Sequence, residues 1–94
     1  MPHLLQMYRS AYLVSADEIV REIKQRAYER AKDYPGIVFY VSEKKYIHDK
    51  IAQAAERKLK DFYEPEGFRV TMIYDSKDTD ICTHVLVRYQ IDWS

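Results

Sequence analysis

The fold is decided by residues 81–93, which read ICTHVLVRYQIDW. Odd-numbered residues of this stretch are mostly apolar, and even-numbered residues are mostly polar. Such alternation is typical of a β-strand, because successive side chains of a strand point to opposite faces of the sheet. We predict a strand whose odd-numbered face is buried under helices and whose even-numbered face is left to water or to a partner. The even-numbered face would carry Cys82, His84, Leu86, Arg88, Gln90 and Asp92.

A second alternating stretch comes before this strand. Its even-numbered positions carry Phe68, Val70, Met72 and Tyr74. Its odd-numbered positions carry Arg69, Thr71, Ile73 and Asp75. The connection from Ser76 to Asp80 is polar and rich in Asp, a common turn former. We therefore predict a hairpin in which the long last strand lies centrally in the sheet.

A helix is indicated nearer the N-terminus. Ser15 and Glu18 form a capping box, in which each side chain satisfies a backbone donor left open at the start of a helix. Tyr34, Pro35 and Gly36 end the helix, because Pro disfavours helical geometry before it and Gly tolerates the reversal. The predicted buried stripe of this helix consists of Ala16, Ile19, Val20, Ile23, Ala27 and Ala31.

Residues 37–41 form a short apolar run that predicts a strand with both faces largely covered. Ser42 is expected to cap a second helix of about 20 residues, which ends at Pro65 and Gly67. This helix would connect two strands that run in the same direction. Its predicted buried stripe consists of Ile47, Ile51, Ala54, Ala55, Leu59 and Phe62.

These elements predict an α+β fold, a two-layer sandwich with two helices on one face of a small mixed sheet in the order α-β-α-β-β. The single domain would span residues 15–94. Residues 1–14 are too apolar for a free tail and are interpreted as an N-terminal arm. A short strand, a helical turn and an arm packed on a neighbouring subunit all remain open for them.

Composition excludes several classes of protein. The chain has 94 residues, one Cys, and 15 basic against 15 acidic residues. One thiol cannot form an internal disulfide or a four-cysteine zinc site, and zero net charge removes the bulk attraction on which nonspecific DNA binding relies. No apolar run approaches a membrane span, and no signal peptide is visible. We therefore expect a cytoplasmic protein that makes no contact with a membrane.

Catalytic, cofactor and metal sites are not expected. With only two Gly, the chain lacks the glycine-rich loops that hold phosphates. Asp75, Asp78 and Asp80 cluster as in a calcium loop, but the central Gly and distal Glu are missing, which favours a solvated turn. Cys82 and His84 share one face of a strand, but they lie about 7 Å apart along it. We interpret them as a semi-exposed thiol and a surface imidazole, and we predict that the protein is not an enzyme.

Protein–protein contact is the function that the sequence favours. Nine Tyr among 94 residues is an unusual number, and aromatic residues are enriched in the cores of interfaces. Ordinary edge packing is the competing interpretation of these residues. The partner would be another protein or a second copy, as a homodimer or a larger oligomer. The candidate protein-binding residues are Tyr8, Tyr12, Tyr40, Tyr46, Tyr63, His84, Leu86 and Arg88.

Nucleic-acid binding is the weaker alternative. Residues 43–63 carry six basic and four acidic residues, whereas residues 64–94 carry three basic and six acidic ones. This polarity is mild, and a charged helix usually presents a solvated face. The residues that would contact nucleic acid are Lys50, Arg57, Lys58 and Lys60.

Two short pieces of the hairpin carry a resemblance to known proteins. Gly67-Phe68-Arg69-Val70 opens the hairpin and Ile91-Asp92-Trp93 closes it. With these pieces in a layout of a capped helix, a short strand, a second helix and a hairpin, residues 15–94 resemble short proteins encoded by tailed bacteriophages. Most of those proteins have no assigned function, and those with one are often inhibitors. The resemblance therefore implies an inhibitor that binds a host or defence protein in the host cytoplasm, or else a small phage structural or accessory protein. It assigns no role to an individual residue.

Overall fold

The computed structural model describes residues 2–77 and 84–94, with side chains for Met7, 13–75 and 84–94. It confirms the α+β class. The elements are α1 (Pro2–Asp33), β1 (Phe39–Val41), β2 (Lys45–His48), α2 (Asp49–Tyr63), a 3₁₀ turn (Glu64–Glu66), β3 (Arg69–Lys77) and β4 (His84–Asp92). The strand β2 is additional to the predicted order, because the chain forms a strand where the sequence predicted the first turn of the second helix.

Strand β4 lies at the centre of the sheet, as predicted. It pairs with β3 on one side and with β1 and then β2 on the other. All of these pairings are antiparallel, so the expectation of a mixed sheet is wrong. Strands β1 and β3 do run in the same direction, but β4 lies between them. The sequence thus predicted the relative direction of β1 and β3 correctly. The two strands are not hydrogen-bonded to each other.

Ser42 lies at the break between β1 and β2 and does not cap a helix. Three residues, 42–44, stand opposite two residues of β4, 88–89. The break therefore contains one more residue than a regular ladder, as in a β-bulge. The backbone N–H of Ser42 donates to the Tyr89 carbonyl at 2.8 Å. The Ser42 Oγ accepts from the Tyr89 N–H at 2.9 Å. This buried serine thus satisfies both backbone groups of Tyr89 across the break, which explains why the helix cap predicted here is wrong.

The two faces of β4 differ as the alternation predicts. Val85, Val87, Tyr89 and Ile91 are 0% exposed, and the even-numbered residues from His84 to Asp92 are partly exposed. Trp93 is partly buried and packs against the same core. Ile81, Cys82 and Thr83, at the start of the predicted strand, lie outside the described residues.

Helix α1 begins at Pro2, so the predicted start at Ser15 is wrong. A capping box is a local preference, and no helix breaker separates the residues before Ser15 from those after it. Pro is tolerated at the first position of a helix, where its missing N–H has no intrahelical partner. Residues 2–14 therefore continue the helix, which spans about 48 Å at 1.5 Å per residue. Its buried stripe is Ala16, Val20, Ile23 and Ala27.

Helix α2 begins at Asp49, with His48 as the capping residue. The Nδ1 atom of His48 accepts from the Lys50 N–H at 3.1 Å. The helix buries Ala52, Ala55, Leu59 and Tyr63. The predicted stripe differs by about one residue of rotation, and Phe62, predicted to be in the core, is 51% exposed. The helix is followed by the 3₁₀ turn and by Gly67, whose φ of 91° favours glycine.

The two helices run in the same direction over the inner face of the sheet, which is the face that carries the buried odd-numbered residues of β4. Asp17 forms an ion pair with Lys58 at 3.0 Å, and further along both helices Lys24 Nζ lies 3.8 Å from the centre of the Phe62 ring. An ion pair between Lys45 and Glu22, at 3.3 Å, joins β2 to α1. Both helices therefore cover the inner face, and the opposite face of the sheet is left open in the described part of the chain.

Candidate binding face

The side chains that point away from the helices form a surface that we call the outer face. Its members follow from the register, because residues directly opposite each other in antiparallel strands share a face. The even-numbered residues of β4 set this face, and their partners on the neighbouring strands join it. The outer face consists of Phe39, Val41, Tyr46, His48, Arg69, Thr71, Ile73, His84, Leu86, Arg88, Gln90 and Asp92.

One end of the outer face is aromatic. Tyr46 stands opposite Leu86, and His48 stands opposite His84. The His84 ring lies 5.1 Å from the Tyr46 ring and 5.7 Å from the His48 ring, between centroids. Tyr46 is 58% exposed. These side chains form an aromatic and aliphatic patch with polar edges, a composition that suits contact with protein.

His84 lies between the other two rings of this patch. Its Nδ1 atom is buried without a hydrogen-bond partner among the described residues. The ring thus contributes contact surface between the Tyr46 and His48 rings at this end of the outer face.

A charged pair lies beside the aromatic end. Arg88 donates from Nη2 to Asp75 Oδ1 at 3.1 Å, and its Nε lies 3.0 Å from Asp75 Oδ2. The Nε contact is an ion pair rather than a well-aligned hydrogen bond, because that atom meets no hydrogen-bond geometry. This nearly bidentate pairing holds the Arg88 side chain along the sheet, where it stands opposite Ile73.

Asp92 lies at the far end of the outer face, opposite Arg69. The backbone N–H and the hydroxyl of Ser94 both donate to its Oδ1, at 2.9 and 2.7 Å. These hydrogen bonds, the backbone one first, lower the pKa of the Asp92 carboxyl, and the charge of Arg69 acts in the same direction. The carboxylate is thus held in its charged form at the rim of the face.

Four of the predicted protein-binding residues are brought together on the outer face: Tyr46, His84, Leu86 and Arg88. Tyr40 and Tyr63 are not surface residues, which corrects the expectation for both. Tyr40 stands opposite Ile91 on the inner side, and Tyr63 lies on the inward side of α2. Burial raises the pKa of both phenols. Tyr8 and Tyr12 lie on α1, and their side chains fall outside the described ones.

Sequence reasoning missed three apolar members of the outer face, namely Phe39, Val41 and Ile73. The continuous apolar run of residues 37–41 predicted a strand covered on both faces, but Phe39 is 45% exposed. Its register opposite Asp92 directs Phe39 outward. The alternation of residues 68–75 was the available signal for Ile73, since it set that residue on the same face as Arg69 and Thr71.

A second apolar surface lies between the ends of the two helices and the start of β3. It is a groove of about 400 Å³. A chain of ring contacts lines it, with centroid distances of 4.8 Å for Phe62–Tyr63, 5.1 Å for Tyr63–Phe68 and 6.1 Å for Phe68–Trp93. The Trp93 Nε1–H donates to the Ile37 carbonyl at 3.2 Å. Part of this groove exists because α2 turns Phe62 outward.

The basic residues of α2 do not form a continuous strip. Lys58 pairs with Asp17 at 3.0 Å, and Lys60 lies 3.5 Å from Glu56. Lys50 and Arg57 line a shallow cleft whose other members include Leu13, Gln53 and Asp61. Acidic and apolar groups therefore interrupt the positive charge that a nucleic-acid interface would need.

Within residues 2–77 and 84–94, no group of three or more His, Cys, Asp or Glu side chains is placed to hold a metal ion. Asp78, Asp80 and Cys82, which figured in the calcium-loop and thiol interpretations, lie outside these ranges. The described helices include none with the length and apolarity needed to cross a membrane.

Comparison with protein-family models, with curated proteins and with solved structures finds no match.

Proposed function

We propose that this protein is a non-enzymatic protein-binding module that acts through its outer face. The observation that carries the proposal is that large apolar side chains stay exposed on one side of a sheet whose other side packs against two helices. Phe39 and Tyr46 are both about half exposed, and Leu86 lies between strands at the centre of the same face. Large exposed apolar side chains gathered on one face are typical of interaction sites.

The arrangement of groups on the outer face supports protein as the ligand. Protein interfaces combine an apolar, aromatic centre with a polar rim. Here Tyr46, Leu86 and Ile73 provide the apolar part, and the Arg88–Asp75 ion pair and Asp92 provide charged groups beside it. Arg88 is already oriented by its ion pair, so its immobilisation on binding would cost little additional entropy.

The proposed partner is a host or defence protein in the host cytoplasm, with this chain as a phage-encoded inhibitor. This part of the proposal is supported by the resemblance of the hairpin pieces to tailed-phage proteins. A role as a structural or accessory protein of the phage would use the same face. Binding of nucleic acid by α2 is less favoured, because Lys58 and Lys60 are engaged by acidic side chains.

The experiment is affinity capture from host lysate with matched variants. Leu86→Lys places a charge in the centre of the outer face, and Arg21→Glu changes an exposed residue of α1. We expect a protein that is retained by the wild type and by Arg21→Glu and is lost with Leu86→Lys. Circular dichroism confirms that each variant is folded.

Two outcomes would contradict the proposal. One is equal retention of all captured proteins by Leu86→Lys and the wild type. The other is recovery of nucleic acid in place of protein, with binding that falls steeply as salt rises and that is weakened by Arg57→Glu and Lys58→Glu.

A further inference from the structure

The edge of the sheet formed by β3 suggests a second interaction surface. Strand β3 pairs with β4 on one side, and no strand of the described chain lies against its other side. An edge strand presents a row of backbone donors and acceptors that another strand can pair with. The opposite edge is different, because it is divided into β1 and β2 by residues 42–44. The nine-residue β3 is therefore the edge suited to pairing with another chain.

We propose that β3 pairs with β3 of a second copy, antiparallel and across a twofold axis centred on Met72. In this register Met72 faces Met72 of the second copy, and Thr71 faces Ile73 of the second copy. Arg69 stands opposite Asp75 of the second copy, twice by symmetry. Opposite charges directly across a strand pair favour that pairing. The irregularity between Tyr74 and Ser76 falls at the end of the paired segment.

Charge pairing distinguishes this register from two others that would also keep the outer faces of the two copies on the same side of the joined sheet. Centring on Thr71 would place Arg69 opposite Ile73, and centring on Ile73 would place Thr71 opposite Asp75. Of these three registers, only the one centred on Met72 places opposite charges across from each other. In it, Asp92, Arg69, then Asp75 and Arg88 of the second copy form an alternating row of charges across the outer face. Two contacts of that row already exist within each copy: Asp92 stands opposite Arg69, and Asp75 forms an ion pair with Arg88.

The space beside β3 leaves room for a second copy. A cleft of about 560 Å³ lies between α2 and the exposed side of β3, and Gln53, Glu56 and Met72 are among its lining residues. The inward-pointing side chains of an added strand, Met72 of the second copy first among them, would enter this cleft. Pairing would join the two sheets into one, with both outer faces on the same side. The inference does not depend on the outer face having a partner.

The first test is sedimentation across a concentration series. We expect a dimer for the wild type and for Lys44→Glu, a charge reversal at the opposite edge of the sheet. We expect Arg69→Glu to weaken the dimer by about tenfold or more, because it places like charges opposite each other at two symmetric positions. A wild type that stays monomeric at several hundred micromolar, or a dimer that Leu86→Lys disrupts and Arg69→Glu does not, would overturn the proposal.

The second test is disulfide formation in a Cys82→Ser background. Residues paired directly across antiparallel strands have Cβ atoms about 5 Å apart, so Met72→Cys is expected to cross-link to itself under mild oxidation. Arg69→Cys is the control, since its two copies would lie about 20 Å apart along the strands. Cross-linking at equal rates in the two variants would exclude this register. Failure here leaves capture through Leu86 unaffected, so the two proposals fail separately.

Discussion

The hydroxyl of Tyr89, at the centre of β4, donates a 2.7 Å hydrogen bond to the carbonyl of Ala52 in α2. Tyr89 is 0% exposed, and its backbone is held on the other side by Ser42. One residue therefore joins the central strand, the edge strands and the helix layer. Because the outer face is the reverse side of this strand, the same contacts fix the position of the proposed binding surface.

Removing the Tyr89 hydroxyl tests this connection. We expect Tyr89→Phe to lower the free energy of unfolding by about 0.5–1.5 kcal/mol, because a buried hydrogen bond is lost while the Ala52 carbonyl keeps its helical partner, the N–H of Glu56. Urea unfolding measures the change. The control is Tyr28→Phe, at a residue that is 70% exposed, for which we expect a change within about 0.5 kcal/mol. Equal effects in the two variants would show that the hydrogen bond contributes nothing.

The stability of the protein should decrease in alkali. Burial is the main reason that the pKa of Tyr89 lies above its ordinary value of 10, and nearby Glu56 adds to the effect. The unfolded chain releases the phenolic proton near pH 10, whereas the folded chain retains it, so stability is unaffected below that pH and falls above it. Unfolding measured between pH 8 and 11 tests this expectation. Tyr89→Phe should show a shallower decline, and an identical decline would contradict the assignment.

Ser42→Ala tests the break between β1 and β2. The substitution removes the acceptor of the Tyr89 N–H in a buried position, and we expect a loss of about 1–3 kcal/mol in the free energy of unfolding. Ser94→Ala removes a hydroxyl from the exposed C-terminal residue and serves as the comparison. If both variants unfold at the same urea concentration as the wild type, Ser42 has no structural role.

Two neighbouring residues of β4 should respond oppositely to the same substitution. Val85→Lys buries a charge without a partner and is expected to unfold the domain. Leu86→Lys, on the outer face, should change stability by less than about 1 kcal/mol, because the ammonium group can reach water. Thermal unfolding followed by circular dichroism distinguishes them. Similar melting temperatures for the two variants would show that the two sides of β4 do not differ.

The sequence was most informative where the spacing of apolar side chains determines which face of an element is buried. The alternation of residues 81–93 predicted correctly which described residues of β4 are buried, because a strand has two faces. Helix α2 was predicted with the wrong rotation. Its apolar residues cover about half of its circumference, so both Phe62 and Tyr63 fitted an inward position. The contact between Tyr89 and Ala52 accompanies the observed rotation, and such a contact has no local sequence signal.

The ends of the elements were less predictable for a related reason. Ser15 and Ser42 both have side chains that suit a helix cap. Ser15 lies inside α1, and Ser42 makes its hydrogen bonds with Tyr89, which is 47 residues away. The same limit applies to the outer face. Its members on β4 followed from alternation, but Phe39 and Tyr46 joined them through strand register, which depends on pairing between distant segments.

The central claim is that the outer face contacts a protein partner, and photocross-linking in the host cell tests it most directly. A benzophenone amino acid replaces Tyr46 on the outer face or, as the control, Tyr28 on α1. We predict a discrete cross-linked protein from position 46 that is absent from position 28 and that disappears when Leu86→Lys is added. No adduct from position 46, or the same adducts from both positions, would contradict the account.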